Sequence, residues 1–438
     1  MAKPRRADSL KPPTAVLQIA ASLEKAGHEV WCVGGAVRDA LLGHPHLDWD
    51  FATSATPDQV RTVFGRKRTI PVGIDFGTVG VLDDAGVMHE VTTFRRDVRT
   101  DGRHAEVEFG VSLDDDLARR DFTINAIALS PTRGDVRDPF DGQGDLARGV
   151  VKAVGVPADR MREDWLRALR ALRFAARFDF RIEDDTWAAV CESAPFLTRL
   201  SAERVRQELE KTMDQVKAPA PALARWRESG AMRVLLPELA RGGEAEQAVD
   251  HAAQPGLSRR PGRRLNRFAV WWSDQDAESA EAIALRLRFS KRDAQWLASL
   301  VGAWNVLGRD VTASLGADGP APLAVRRLIA RITRPLLPAF FRLADARWSA
   351  RRGAGASAPS RAAVGALYRR ARRVSLTEPI DLRDLAIDGD DLRTLGLAPG
   401  PALGKTLSVL LDRVLEDPSV NTRDALMRLA TSLPETKA

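Results

Sequence analysis

Cysteine is scarce in this 438-residue chain. Cys32 and Cys191 are the only two, they lie far apart, and neither belongs to a Cys-x-x-Cys pair. The sequence therefore offers neither a disulfide framework nor a structural zinc site. The first twenty residues lack an apolar signal-peptide core, and no run of 18 apolar residues follows. We expect a protein of a reducing, cytoplasmic setting that is neither secreted through a cleaved signal nor inserted in a membrane.

The composition excludes a chain that is mostly disordered. Hydrophobic residues make up 44% of the sequence and charged residues 29%, which is typical of globular proteins. The length predicts two to four domains. Lys and Arg together number 66 against 59 Asp and Glu, a net charge of +7 that favours a polyanionic partner without identifying one.

The secondary-structure pattern changes near residue 149. Before that point helical periodicity alternates with short strands: the pattern predicts a helix over 14–26, strands at 29–33, 49–52, 78–82 and 87–94, and a helix opened by Thr56 and Pro57. After it, amphipathic helices dominate, including 159–178 and 202–215. We expect an α+β fold with a head of small mixed β-sheet and flanking helices, followed by an all-α neck, body and tail. The predicted boundaries are a flexible arm at 1–13, a head at 14–147, a neck at 148–215, and a body and tail at 216–438.

Two glycines mark the first candidate site. Gly34 and Gly35 follow an apolar strand and open a helix, so backbone N–H groups at a positive helix terminus can receive a phosphate. An ordinary tight turn is the alternative reading of these two residues.

Acidic residues mark the second candidate site. Asp48 and Asp50 stand two apart on a predicted strand, which places both carboxylates on one face. Such a pair suits two Mg²⁺ ions in phosphoryl chemistry. Glu90 on a neighbouring strand is the candidate third acid, with Asp83 and Asp84 as rivals in a predicted turn. For an isolated pair, a solvated strand edge is the competing interpretation.

A third cluster follows at Arg119–Ala126. Asp121 and Asn125 stand four apart at a predicted helix start and would share a face, beside Arg120. A carboxylate and an amide can together hold the hydroxyls of a ribose. A helix cap with a surface ion pair explains the same residues.

Four segments in this order, GGAVRD, DWD, EVTTFR and RRDFTINA, resemble the tRNA nucleotidyltransferase and poly(A) polymerase family of the polymerase β superfamily. The resemblance continues through DPFDG, EDWLR and ERVRQE and covers about residues 28–215. It implies the bacterial-type, or class II, branch, which adds CCA to tRNA 3′ ends from CTP and ATP without a nucleic-acid template. It also implies two-metal transfer, in which the RNA 3′-hydroxyl attacks the α-phosphate and pyrophosphate leaves.

The resemblance implies a role for each site residue. It assigns metal binding and catalysis to three acids, Asp48, Asp50 and Glu90. It assigns triphosphate binding to the glycine turn and its arginine, Gly34, Gly35 and Arg38. It assigns ribose binding to the third cluster, Arg120, Asp121 and Asn125. The DPFDG segment would be a hinge after the head. The implied partners are the tRNA 3′ end, CTP and ATP, with two Mg²⁺ ions as cofactors and neither a membrane nor an obligate protein partner.

Asp164 and Arg167 are the candidates for base recognition. On one helix they would stand at i and i+3, presenting an acceptor beside a fork of donors. Cytosine and adenine match that pattern, whereas uracil and guanine invert it. An ordinary surface ion pair is the alternative. Arg170, Arg173 and Arg177 continue a basic stripe suited to phosphates, or a solvated helix face.

The polar segment 95–104 resembles the family's flexible loop, which complete CCA enzymes need when they switch from C to A. It favours full CCA addition, although a plain surface loop has the same composition. Two alternatives for function remain within the family: a poly(A) polymerase and an A-only tRNA nucleotidyltransferase. A third, of another class, is an RNA-binding protein with an inactive head.

Overall fold

The computed structural model describes residues 10–44, 49–100, 105–252, 261–314 and 321–433. The chain divides into two compact units. Unit 1 comprises Met1–Thr212 and Pro221–Arg241, and unit 2 comprises Met213–Ala220 and Gly242–Ala438. The predicted head and neck thus fall in one unit, and most of the predicted body and tail in the other.

Within the described part of the chain, no strand lies beyond residue 182. They are β1 (Val30–Val33), β2 (Asp50–Thr53), β3 (Thr69–Gly73), β4 (Thr78–Leu82), β5 (Met88–Thr93), β6 (Arg95–Thr100), β7 (Ala105–Phe109), β8 (Ala128–Leu129), β9 (Val136–Arg137), β10 (Val150–Val151) and β11 (Arg181–Ile182). Seven of them form one mixed sheet in the order β3-β4-β5-β2-β1-β8-β9. In this sheet β2 and β5 are parallel and the other neighbours antiparallel.

The helices of unit 1 flank this sheet and continue beyond it. They are α1 (Thr14–Lys25), α2 (Gly35–Leu41), α3 (Pro57–Phe64), α4 (Leu113–Ala118), α5 (Gly142–Arg148), α6 (Pro157–Glu163), α7 (Leu166–Phe178), α8 (Asp184–Glu192), α9 (Ala202–Gln215), α10 (Ala220–Glu228) and α11 (Ala231–Leu235), of which the ends of α9 and α10 reach into unit 2. Helix α3 begins as expected: Thr56 accepts from the backbone of Gln59, whose side chain accepts in return from Thr56, and Pro57 stands at the first position.

Unit 2 is helical throughout its described residues. Its helices are α12 (Glu244–Ala248), α13 (Pro261–Trp271), α14 (Ala277–Arg286), α15 (Lys291–Ser314), α16 (Pro322–Ile332), α17 (Leu337–Gly353), α18 (Arg361–Thr377), α19 (Gly389–Thr394), α20 (Pro401–Glu416) and α21 (Arg423–Ser432). Buried Arg267 donates to the backbone carbonyls of Met213, Val216 and Ala252, which ties the segment before α10 to α13. No helix in the described part of the chain is long and apolar enough to cross a membrane.

The α+β prediction is confirmed, and three details of it were wrong. The expected helix over 159–178 is two helices, because Asp164 takes an extended conformation between α6 and α7. The expected all-α neck contains the short parallel pair of β10 and β11. Strands β3, β6, β7, β8 and β9 were not predicted: β3 and β6 lack a clean alternation of apolar and polar side chains, β8 and β9 are only two residues long, and the alternation of β7 was overlooked.

Candidate active site

Two central strands of the head sheet bring acidic side chains together. Strand β2 begins at Asp50 and runs parallel to β5, with Phe51 opposite Val91. Continuing this register by one residue places Asp50 beside Glu90. Because side chains alternate along a strand, both carboxylates point away from the face of the buried Phe51 and Val91. The structure therefore supports Glu90 as the partner of Asp50.

The two rival acids, Asp83 and Asp84, do not join this pair. Asp83 accepts from the backbone N–H groups of Ala85 and Val87, at 2.9 and 2.8 Å, and so holds the turn between β4 and β5. Asp84 pairs with Arg68 at the surface. Asp48 lies outside the described residues. Glu90 is exposed and forms no hydrogen bond or ion pair within the described chain, so its carboxylate is available.

The glycine turn lies at the end of β1, next to β2 in the sheet. Gly34 has a φ of 75°, in the left-handed region that favours glycine. A Cβ atom on Gly34 would lie 3.1 Å from Nη1 of Arg120, and one on Gly35 would lie 3.5 Å from Nη2 of Arg38. The missing side chain of Gly34 lets Arg120 approach closely, and Arg38 lies within ordinary contact distance of Gly35, so two guanidinium groups stand at the turn, which suits an anion.

Arg38 is held rigidly beside this turn. Its side chain is only 4% exposed and pairs with Asp39 at 2.7 Å. The guanidinium carbon lies 4.9 and 4.8 Å from the ring centres of Phe174 and Phe178 on α7, and Nη1 donates to Asn125. Burial lowers the pKa of Arg38 to about 10 although the Asp39 carboxylate opposes that change. The predicted triphosphate ligand is thus an enclosed cation that also joins α2 to α7.

Asp121 and Asn125 meet, but not on the helix face that we expected. Asp121 precedes a short 3₁₀ turn, Thr123–Asn125, and Asn125 Nδ2 donates to Asp121 Oδ1 at 2.8 Å. Arg170 of α7 donates to the other carboxylate oxygen at 2.7 Å. The 3₁₀ turn brings Asp121 and Asn125 into the contact that we expected on one face of a helix. An unbroken chain of polar contacts consequently links Arg38, Asn125, Asp121 and Arg170.

The state of Asp121 predicts an acid-dependent loss of stability. Burial by itself raises its pKa, but Arg170 and the Asn125 amide outweigh burial and lower it from 3.8 to about 2. Because the folded-state pKa is depressed, this stabilisation is complete above the unfolded pKa near 4 and disappears as the pH falls towards 2. We expect the urea midpoint of the wild type to fall more steeply between pH 4 and 2 than that of Asp121→Asn. Equal slopes for the two proteins would contradict the assignment.

Arg120 is anchored by an acid that the sequence analysis missed. Asp116 of α4, 1% exposed, accepts from Arg120 Nη2 at 3.0 Å and from Arg119 Nη2 at 2.8 Å. Arg120 Nε is buried and has no hydrogen-bond partner within the described residues. The two arginines stand three and four residues after Asp116, a spacing that could have revealed this contact.

Asp164 and Arg167 do not form the pair that was predicted. Asp164 lies between two helices, accepts from the backbone N–H of Leu166 at 3.1 Å, and pairs with Arg204 of α9 at 2.7 Å. Arg167 instead pairs with Glu163 at 2.7 Å and donates to the Arg119 carbonyl at 2.9 Å. The i,i+3 helical geometry was wrong because the helix breaks at Asp164. A base could meet each residue separately, and the surface ion-pair alternative is wrong as well.

The arginines of the basic stripe on α7 each form an ion pair within the protein, so the stripe is not a solvated helix face. Arg170 pairs with Asp121, Arg177 pairs with Asp39 at 2.8 Å, and Arg173 pairs with Glu208 of α9 at 2.6 Å. Arg173 is 4% exposed, so a phosphate could reach it only by displacing the Glu208 carboxylate. The stripe therefore fastens α7 to its neighbours. Glu208 could not have been found from local spacing, since it comes from a separate helix.

Two further motifs have defined structures. Asp138 accepts from the backbone of Gly142 and Gln143, at 2.7 and 2.9 Å, so DPFDG leads directly into α5, and its role as a hinge stays a prediction. The predicted flexible loop at 95–104 contains strand β6, which pairs with β7 directly after the loop. Its residues 101–104 lie outside the described part.

Known families and proteins match both the head and the whole chain. Residues 30–152 match the poly(A) polymerase head domain, and residues 179–242 match the probable RNA and SrmB-binding site of polymerase A. A CCA-adding enzyme of Limosilactobacillus fermentum is 37% identical over 424 residues, which cover 95% of this chain and 96% of the relative. The chain belongs to the CCA-adding enzyme family.

Solved structures of CCA-adding enzymes share the fold. The crystal structure of the Bacillus stearothermophilus CCA-adding enzyme in complex with CTP is 30% identical and has a TM-score of 0.76, with 98% of this chain and 99% of that chain covered. A Thermotoga maritima CCA-adding enzyme complexed with tRNA has a TM-score of 0.65 at 21% identity, covers 99% of both chains, and supports the fold alone. The predicted family and fold are confirmed.

Nucleotidyltransferases of this family generally use divalent metal ions. The residues present fit such an ion, since Asp50 and Glu90 place hard carboxylate oxygens side by side on one face of the sheet. Within the described residues no group of three or more metal-binding side chains is assembled, and Asp48 lies outside them. The head sheet therefore places two of the three predicted acids, Asp50 and Glu90, next to each other on neighbouring strands.

Proposed function

We propose that this protein adds CCA to the 3′ end of tRNA, using CTP and ATP and no nucleic-acid template. One observation carries the proposal at the level of the site: Asp50 and Glu90 lie side by side, one strand away from the Gly34–Gly35 turn and its two guanidinium groups. Relatives along the whole chain are CCA-adding enzymes.

The residues divide the work between acids and cations. Two Mg²⁺ ions held by Asp48, Asp50 and Glu90 would supply Lewis-acid activation of the 3′-hydroxyl and charge neutralisation of the triphosphate. The Gly34–Gly35 turn with Arg120 receives the triphosphate through backbone N–H groups and a fixed cation.

The ribose would be held by the polar chain that includes Asn125 and Asp121. Because Arg38 and Arg170 hold these two side chains at opposite ends, a sugar hydroxyl meets groups already in place. No covalent intermediate on the protein is required.

Selection of C and A over U and G is assigned to Asp164 and Arg167, each fixed by its own partner. Replacing Asp164 with Ala removes an acceptor for the exocyclic amino groups of cytosine and adenine. We expect the kcat/KM ratio of CTP over UTP to fall by about tenfold, within the roughly 1–3 kcal/mol that one good base contact contributes. Asp159→Asn, which removes an exposed ion pair on α6, is the matched control and should leave the ratio unchanged.

The test of the whole proposal is incorporation of each labelled nucleotide, with Mg²⁺, into tRNA that lacks CCA, CA or A. Stepwise addition of C, C and A that then stops supports the proposal. A-only addition, long A tails, or no incorporation would point respectively to an A-only nucleotidyltransferase, a poly(A) polymerase, or an inactive RNA-binding protein.

The assignment of regions follows from the same proposal. The head at 14–147 would perform the chemistry, the neck at 148–215 would select the base, and the helices at 216–438 would hold tRNA by its shape and phosphates. A cytoplasmic location also remains a prediction.

A further inference from the structure

Large apolar side chains are exposed together at the β3 edge of the head sheet. Five of them are each between 39% and 47% exposed, and we call this set the apolar apron: Ile70, Val72, Phe76, Met88 and Phe109. They come from β3, β5, β7 and the turn that follows β3. Exposed apolar side chains are normally scattered singly, and contiguous patches mark binding surfaces.

Two glycines show that side chains of the apron pack together in two places. A Cβ atom on Gly80 would lie 2.7 Å from the Met88 sulfur and 3.0 Å from a Val72 methyl group, so both side chains cover Gly80. A Cβ atom on Gly77, next to Phe76, would lie 2.5 Å from the Phe109 ring. The absent side chains let the apolar groups lie directly on the backbone at both places.

Three residues of the apron, Ile70, Val72 and Met88, lie on the same face of the sheet as the candidate catalytic acids. Gly80 of β4 pairs with Ile70 on one side and with Glu90 on the other. Directly opposed residues of antiparallel strands share a face, so Ile70, Gly80 and Glu90 form one row. Asp50 continues the row on the next strand. The apolar surface therefore leads across the sheet to the two carboxylates.

The proposed nucleotide ligands occupy the other side of those carboxylates. In the sheet order, β3 and β4 precede β5 and β2, whereas β1 and β8 follow them. The Gly34–Gly35 turn follows β1, and Asn125 and Arg120 precede β8. A transfer reaction needs two substrates that meet at the acids. With the triphosphate on the β1 side, the β3 side is left for the attacking RNA.

Positive charge borders the apron. Arg66 and Lys67 lie in a 3₁₀ turn directly before β3, are exposed, and make no ion pair with any residue that the structure describes. Apolar and aromatic surfaces bind unpaired bases by stacking, and nearby cations bind their phosphates. A purely apolar protein partner would offer no negative charge to pair with these two cations.

We propose that the apolar apron binds the unpaired 3′-terminal nucleotides of the RNA substrate and so holds the terminal 3′-hydroxyl at Asp50 and Glu90. This inference rests on the proposed function. It assigns to the exposed β3 side of the sheet the acceptor end of the RNA, and to the β1 side the incoming nucleotide.

The test compares the full chain with Val72→Ser/Phe76→Ser, whose side chains are exposed enough that the fold should not depend on them. With tRNA that lacks only the terminal A, we expect the KM for tRNA to rise about tenfold, in keeping with the loss of one base-stacking contact. The kcat at saturating tRNA and the KM for ATP should stay unchanged. The control, Leu285→Ser/Val306→Ser, removes comparably exposed apolar side chains from unit 2 and should change none of these values.

Three outcomes would overturn the inference. They are an unchanged KM for tRNA, an equal rise in the KM for ATP, and a smaller oligomer for the apron variant than for the wild type in light scattering. The last of these would make the apron a contact between copies of this chain.

Direct binding separates this inference from the proposed function. Fluorescence anisotropy of a labelled single-stranded RNA ending in CC, without nucleotide, measures the dissociation constant of the RNA. We expect this constant to be about tenfold higher for the apron variant than for the wild type or Asp50→Asn. If the wild type adds no nucleotide yet this loss is seen, the proposed function fails and the apron stands. If nucleotides are added and the variant binds RNA normally, the apron fails alone.

Discussion

Replacing Asp50 with Asn should abolish nucleotide addition while leaving the protein folded. Asp50 is the described acid that stands in register with Glu90, and its charge is what a divalent ion at this position needs. We expect kcat to fall by about 10³-fold, which corresponds to about 4 kcal/mol of lost transition-state stabilisation. Single-turnover incorporation of labelled ATP into tRNA ending in CC measures this loss.

The control for this experiment lies in the turn between β4 and β5. Asp84→Asn removes an exposed carboxylate that pairs with Arg68, and it should retain the wild-type rate. Glu90→Gln should behave like Asp50→Asn, because the two side chains occupy adjacent positions on one face. A Glu90→Gln protein of full activity would exclude Glu90 from the metal site and leave Asp48 as the partner of Asp50.

The largest effect on stability should come from Glu208→Gln. The ion pair of Arg173 and Glu208 has side chains that are 4% and 1% exposed. Removing the Glu208 charge takes the carboxylate partner away from a buried guanidinium, and breaking a buried ion pair in this way typically costs about 3–5 kcal/mol. We expect the free energy of unfolding, measured by urea titration at pH 7, to fall by that amount. Catalytic activity below the unfolding transition should fall much less, because neither side chain lies in the row of acids.

Two comparisons distinguish this effect from a general loss of surface charge. Asp159→Asn breaks an ion pair whose side chains are 65% and 59% exposed and should cost less than about 1 kcal/mol. The double variant Arg173→Met/Glu208→Leu should be more stable than Glu208→Gln, since it buries no unpaired charge. A loss under 1 kcal/mol for Glu208→Gln would show that the pair is accessible to water.

Local sequence signals were sufficient where one short segment holds the whole feature. The Thr56 helix start, the glycine turn after β1 and the alternation of β5 around Glu90 each depend on neighbours within a few residues. For the same reason the α+β division could be predicted, because strand and helix periodicities are visible within one segment. The family resemblance rested on such segments too, and the full-length comparisons confirm it.

The sequence failed where partners come from distant parts of the chain. Arg38 and Arg170 were predicted as phosphate ligands, but tertiary structure places Asp121 beside Arg170 and two phenylalanine rings of α7 beside Arg38. The partner of Asp164 was also missed, because Arg204 of α9, which pairs with its carboxylate, lies 40 residues further along the sequence. No local spacing records these contacts.

The sequence by itself determined which residues carry the chemistry: the acids, the glycine turn and the arginines in their order along the chain. Only the tertiary structure decided which of these side chains are exposed and which are enclosed in ion pairs. The physical reason is that a charge leaves water only when a partner compensates it, and those partners come from α4, α7 and α9 as the chain folds. The apolar apron likewise arises only when strands distant in sequence lie in one sheet, since its side chains come from β3, β5 and β7.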